Sequence, residues 1–178
     1  RKTLPIRIDV TDEKSIISFF NEIESRLGGF DVLINNAQIK PKDFYANFEN
    51  YTKKTLEKVL DGNLIGVTIS CREACKHFLK QGKGIIVNVA STYGVVAPDQ
   101  RLYEKVENIY DSTQNFSSPI SYAVSKAGVV QLTRYLASYY REKEIRINCL
   151  TPGGVFDNHD KKFNEQYSHR TTIGRMAN

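Results

Sequence analysis

Short apolar runs alternate with amphipathic stretches along nearly the whole chain, and this alternation limits the fold more than any single residue does. Candidate strands lie at residues 4–8, 31–35, 85–90 and 145–150. The first helix starts at Thr11 or Asp12, carries Ile16, Ile17, Phe20, Ile23 and Leu27 on one face, and stops at Gly28-Gly29. A second runs from about 52 to 81, with a break or bend near Gly62-Asn63, and a third from about 119 to 142. Parallel strands need helix-length crossovers, and the alternation of strands with such connections argues for βαβ units, so the order predicts an α/β fold with a parallel sheet covered by helices.

At 178 residues, the chain is the size of one domain and large enough to bury a core. Hydrophobic residues at 40% and charged residues at 25% describe an ordinary globular protein. No apolar run approaches the length that spans a bilayer, and Arg1-Lys-Thr-Leu-Pro-Ile lacks the apolar centre of a signal peptide, which predicts a cytoplasmic protein with no membrane partner. The net charge of +5 is spread through the helices rather than gathered in one block, so no nucleic-acid surface is expected; a mildly basic cleft also suits anionic cofactors or substrates. Cys71, Cys75 and Cys149 form no Cys-x-x-Cys pair, and His77, His159 and His169 show no ligand spacing, so no metal is assigned.

The third helix contains Ser121-Tyr-Ala-Val-Ser-Lys126. Residues four apart on a helix share a face, so the Lys126 ammonium can favour the phenolate form of Tyr122. A tyrosine placed this way can give or take a proton, and Ser91, just beyond a buried strand, can hold the oxygen that receives it. Tyr-x-x-x-Lys by itself also occurs on plain amphipathic helices, so its surroundings decide the reading.

Those surroundings are Asp31-Val-Leu-Ile-Asn-Asn-Ala37, Asp61-Gly-Asn63, Gly84-Ile-Ile-Val-Asn-Val-Ala-Ser91-Thr-Tyr-Gly94 and Ile145-Arg-Ile-Asn-Cys-Leu-Thr-Pro152-Gly153. Taken in order, they resemble the short-chain dehydrogenase/reductase family over nearly the whole chain. The stretches Ser91 to Asp99 and Pro152 to Asn158 look most like bacterial reductases associated with flagellin or surface-sugar modification. The resemblance implies a single Rossmann-like, doubly wound parallel sheet over residues 1–178, NAD or NADP as cofactor, and hydride exchange with a carbonyl or alcohol. It further implies that Tyr122 is the general acid/base, Ser91 polarises the substrate oxygen, and Lys126 tunes Tyr122 and holds the nicotinamide ribose. Asn63 would position a relay water, or merely relieve the helix irregularity. Asp9 would bond the adenine, and Asn35, Asn36 and Ala37 would line the cofactor side of a strand end, with Asn35 tying the sheet together. Pro152, Gly153 and the Val155 backbone would face the nicotinamide.

The chain also departs from the family pattern. No glycine-rich phosphate turn is present, so the chain reads as an internal piece of a longer enzyme, without the family's first two strands and its last. In the family's 3-2-1-4-5-6-7 order, two missing strands would leave a gap of roughly 10 Å of unfilled width, about two strand spacings, between residues 4–8 and the rest of the sheet. The segment alone is therefore expected neither to bind NAD(P) tightly nor to turn over substrate. Gln38 stands where the family has glycine, and Gly154-Val155 where it often has an anchoring threonine. Ser91 and Tyr122 are 122 − 91 = 31 positions apart, which implies an insertion at about Val95 to Ser118. Its Asp99, Gln100, Arg101, Tyr103, Glu104, Asn108, Tyr110 and Asp111 suit a small, polar, sugar-like substrate, although an ordinary surface loop is the other reading. A related sugar epimerase or dehydratase and a catalytically silent binding module remain as alternatives. Apolar positions such as Val129, Leu132, Tyr135, Leu136 and Tyr139 predict pairing of the long helices into a homodimer or homotetramer.

Overall fold

The computed structural model describes residues 3–108 and 116–178. Helix α1 spans Glu13–Leu27; Asp12 caps it by accepting the Lys14 N–H at 2.9 Å, and Gly28 ends it at φ 76°. Strand β1 (Val32–Asn35) follows. The long helical stretch resolves into α2 (Lys53–Leu60), a π-helical turn at Asp61–Ile65, and α3 (Gly66–Gln81). Next come β2 (Lys83–Val89), α4 (Ile120–Tyr139), β3 (Glu144–Leu150) and a helix absent from the sequence reading, α5 (Lys161–His169).

The described strands form one parallel sheet in the order β1-β2-β3, with Ile34 opposite Val87 and Ile86 opposite Ile147. Residues 4–8 are not a strand, contrary to expectation. Among the described residues no strand runs beside them, and without a ladder partner an apolar run does not become sheet. The segment lies instead against the helices: Ile8 packs on the core, and a Cβ at Gly66 would fall 2.2 Å from the Val10 carbonyl oxygen.

Helices α1, α3 and α4 cover one face of the sheet, where Ile16, Phe20, Cys71, Cys75, Phe78, Ile86, Val129, Ile145 and Ile147 make the main core. Val32, Ile34 and Leu150, on the opposite face, are exposed. A buried polar chain runs through the core: Asn35 Nδ2 donates to Asn88 Oδ1 at 2.8 Å, and Asn88 Nδ2 to Thr133 Oγ1 at 3.0 Å. It joins β1, β2 and α4 side chain to side chain, so Asn35 does tie the sheet together. Cys71 touches the same network, and burial pushes its thiol up to about 12, the behaviour of a buried structural cysteine.

The insertion is a packed element. Leu102, Tyr103 and Val106 form a second small core with Phe163 of α5 and Met176, and Phe116 packs against it. Gln100 closes the loop on itself, accepting from Ser118 N at 3.1 Å and donating to Ser118 O at 3.4 Å. Of the residues expected to meet substrate, Tyr110 and Asp111 lie outside the described residues. No helix among those described is long and apolar enough to cross a membrane, and no metal-ligating cluster occurs among them.

Candidate active site

The carboxyl ends of β1, β2 and β3 open on one side of the sheet, the place where ligands bind in open α/β folds. Two backbone bonds hold the last two ends together: Ala90 N to Leu150 O at 2.8 Å and Thr92 N to Pro152 O at 3.0 Å. Above them lies a cleft of about 580 Å³. Asn36, Ser91, Tyr122, Lys126, Pro152, Gly153 and Val155 all line it. The cleft therefore gathers seven expected residues from four separate parts of the chain.

Lys126 is almost fully buried, and its Nζ donates to Val89 O at 2.7 Å while lying 5.8 Å from the centre of the Tyr122 ring. Burial lowers its affinity for the proton. An ammonium has three donors, so two remain for a ligand in the cleft. Ser91, also buried, accepts the Tyr93 N–H at 3.2 Å, which fixes the hydroxyl and leaves its proton to be donated. Tyr122 packs edge-on against Phe44, with ring centres 6.4 Å apart. One residue before it, Ser121 is bonded to the Tyr51 hydroxyl at 2.5 Å, which pins the start of α4 to the segment before α2.

Three expected site residues lie elsewhere. Asn63 sits in the π turn, 1% exposed, with Oδ1 accepting from Ile39 N at 2.7 Å and Nδ2 reaching Ile39 O at 3.5 Å. Both ends of its amide are spent on the loop after β1, so it reaches the cleft through Ile39 and the neighbouring Gln38 and Lys40. Asp9 is exposed and bonds Thr11 through N–H and hydroxyl at 2.9 and 2.7 Å, contacts that hold its carboxyl below the usual range. Neither Asp9 nor Ala37 lines the cleft.

Apart from Tyr103, the sequence reading missed the aromatic wall. Tyr93, Tyr103, Phe116, Phe163 and Tyr167 face the cleft, and Tyr103 donates to the Tyr93 hydroxyl at 3.3 Å. Burial raises both phenols, so they stay protonated as neutral donors. The polar groups of the insertion mostly serve the loop itself. Asp99 bonds Arg101 at 2.8 Å and Arg170 at 3.2 Å, and the Arg101 bond above all holds its carboxyl down at about 2. Phe163 and Tyr167, four apart on α5, were the signal available in sequence.

Residues 1–103 match the family model described as short chain dehydrogenase, and residues 106–177 the one described as Enoyl-(Acyl carrier protein) reductase. The chain belongs to the short-chain dehydrogenase family. It is 32% identical to 2-(R)-hydroxypropyl-CoM dehydrogenase of Xanthobacter autotrophicus, over 86% of this chain and 54% of that protein. It is 31% identical to Post-translational flagellin modification protein A of Campylobacter coli, over 94% of this chain and 62% of that protein. A short chain dehydrogenase from Leptospira borgpetersenii, solved with bound NAD+, superposes with a TM-score of 0.84 at 35% identity, covering 97% of this chain and 62% of that one. The chain thus spans between about half and two thirds of the length of these proteins.

Proposed function

We propose that this chain carries the catalytic residues of an NAD(P)-dependent oxidoreductase that interconverts a carbonyl and a hydroxyl on a sugar or sugar-like ring. The observation that carries this reading is the convergence of Ser91, Tyr122 and Lys126 in one cleft with the Pro152 to Val155 backbone. Ser91 donates to the substrate oxygen and holds it beside Tyr122. Tyr122 gives that oxygen a proton in reduction and takes it back in oxidation, with the Lys126 ammonium 5.8 Å from the centre of its ring.

The residues present fit the nicotinamide end of the dinucleotide. The two uncommitted Lys126 donors suit ribose hydroxyls, and Asn36 and residues 152–155 line the same cleft. The bound nicotinamide would supply or accept the hydride. Asn63 positions the 38–40 loop, and Asp9 and Ala37 are assigned to the rest of the dinucleotide by resemblance. Assays of the whole protein with NADH and NADPH against neutral sugars and cyclic ketones test the reading by loss of nicotinamide absorbance; no turnover with any of them would overturn it.

The sugar-like substrate rests on the aromatic wall, whose faces suit the C–H faces of a ring, and on the two neutral phenols that can bond its hydroxyls. Excising the insertion would strip Phe163 and Met176 of their cover, so the informative change is Tyr103→Phe. It is expected to alter substrate KM while leaving dinucleotide affinity near wild type. Equal KM values across the substrate panel would remove the insertion from substrate selection.

Tyr135 and Tyr139 of α4 are exposed and stacked on each other with ring centres 5.9 Å apart, an aromatic surface suited to a second copy of the helix. Analytical ultracentrifugation of the whole protein should give a dimer or tetramer. A monomer at micromolar concentration would count against this assembly.

A further inference from the structure

The turn after β3 has no anchoring side chain of its own, since Gly153 and Gly154 follow Pro152. Its anchor comes from α5. The Gly154 N–H donates to the Tyr167 phenol oxygen at 2.5 Å, and the Gly154 carbonyl accepts from Ala177 N at 2.9 Å. The fit around the phenol leaves no room for larger residues. A Cβ on Gly153 would meet only the Tyr167 oxygen, at 2.8 Å, and one on Gly154 would lie 3.0 Å from Tyr167 Cζ. Neither glycine has positive φ, so close approach, and not backbone freedom, is what requires glycine here.

The same helix is fastened to the insertion. Phe163, one turn before Tyr167, packs on Tyr103 with ring centres 5.1 Å apart, and Arg170 pairs with Asp99 at 3.2 Å. One short helix therefore touches both the aromatic wall and the Pro-Gly-Gly turn. We propose that Tyr167 is a positioning residue: it fixes the Gly154 amide and, through it, the Pro152 to Val155 backbone against which the nicotinamide end binds. This role rests on the dinucleotide reading above, although the bond itself does not.

Three variants of the whole protein test it: Tyr167→Phe, Gly153→Ala and the pair combined. Tyr167→Phe keeps the ring and loses one hydrogen bond, so dinucleotide affinity should fall about five- to tenfold while substrate KM stays nearly constant. Without any ligand, hydrogen exchange at the Gly154 amide should speed up. Gly153→Ala should weaken dinucleotide binding in the wild-type background. It should cost almost nothing in the Tyr167→Phe background, where the only atom its Cβ meets is gone. Unchanged exchange at Gly154, a loss confined to substrate KM, or additive effects of the two substitutions would each overturn the positioning role. A wild-type protein that bound no dinucleotide would overturn the proposed function instead, and the exchange measurement would still decide whether Tyr167 holds the turn.

Discussion

Tyr122→Phe in the whole protein should lower turnover by about 10²- to 10⁴-fold, the usual cost of losing one acid/base group. Dinucleotide affinity should stay close to wild type, because the ring keeps its packing on Phe44 and Lys126 keeps its bond to Val89 O. The contrast between the two readouts matters more than the size of the loss. A collapsed cleft would impair both, whereas a missing proton donor impairs only the chemical step. Steady-state rates by nicotinamide absorbance and a direct binding titration supply the two numbers. Full turnover by Tyr122→Phe would remove the tyrosine from the mechanism.

Phe78→Ala should be the most damaging core substitution, at about 3–5 kcal/mol, a large share of the roughly 5–15 kcal/mol that holds a domain folded. Phe78 is fully buried and packs on Phe30 with ring centres 5.0 Å apart. Its ring also occupies the space where Gly84 of β2 would carry a side chain, 2.1 Å from an added Cβ. Gly84→Val should therefore destabilise the wild-type protein and restore part of the loss in Phe78→Ala. Urea unfolding of the four proteins measures the cycle, and a Phe78→Ala loss below about 1 kcal/mol would show that the pocket collapses without cost.

The alternation of apolar strands and helices was legible because each element declares itself through local periodicity. Residues 4–8 show the limit of that signal. Their apolar pattern suits a strand, yet strandness depends on a neighbour that no local pattern encodes. Tyr122 and Lys126 were legible because one helical turn separates them, and Ser91 because it ends a strand. Asn63 was visible only as an irregularity; its bonds to Ile39, 24 positions away, were not. Asn88 and Tyr167 gave less notice still: the partner of Asn88 lies 53 positions away, and an asparagine in a strand or a tyrosine in a short helix has many ordinary explanations. Helix α5 was missed for a related reason: nine residues make too short a window for periodicity to stand out.

The π turn at Asp61–Ile65 sets the rotational phase between two helices that otherwise run on continuously. A π turn holds one residue more than an α turn, and each residue advances an α-helix by about 100°. Deleting a single residue there would give a smoother helix, but one in which Val59 of α2 and Cys71 of α3 could no longer both keep the fully buried positions they now hold. Asn63 would swing away from Ile39 in the same movement. The surplus residue thus works as a gear tooth, and shortening this helix by one position is a far larger change than replacing any of its side chains.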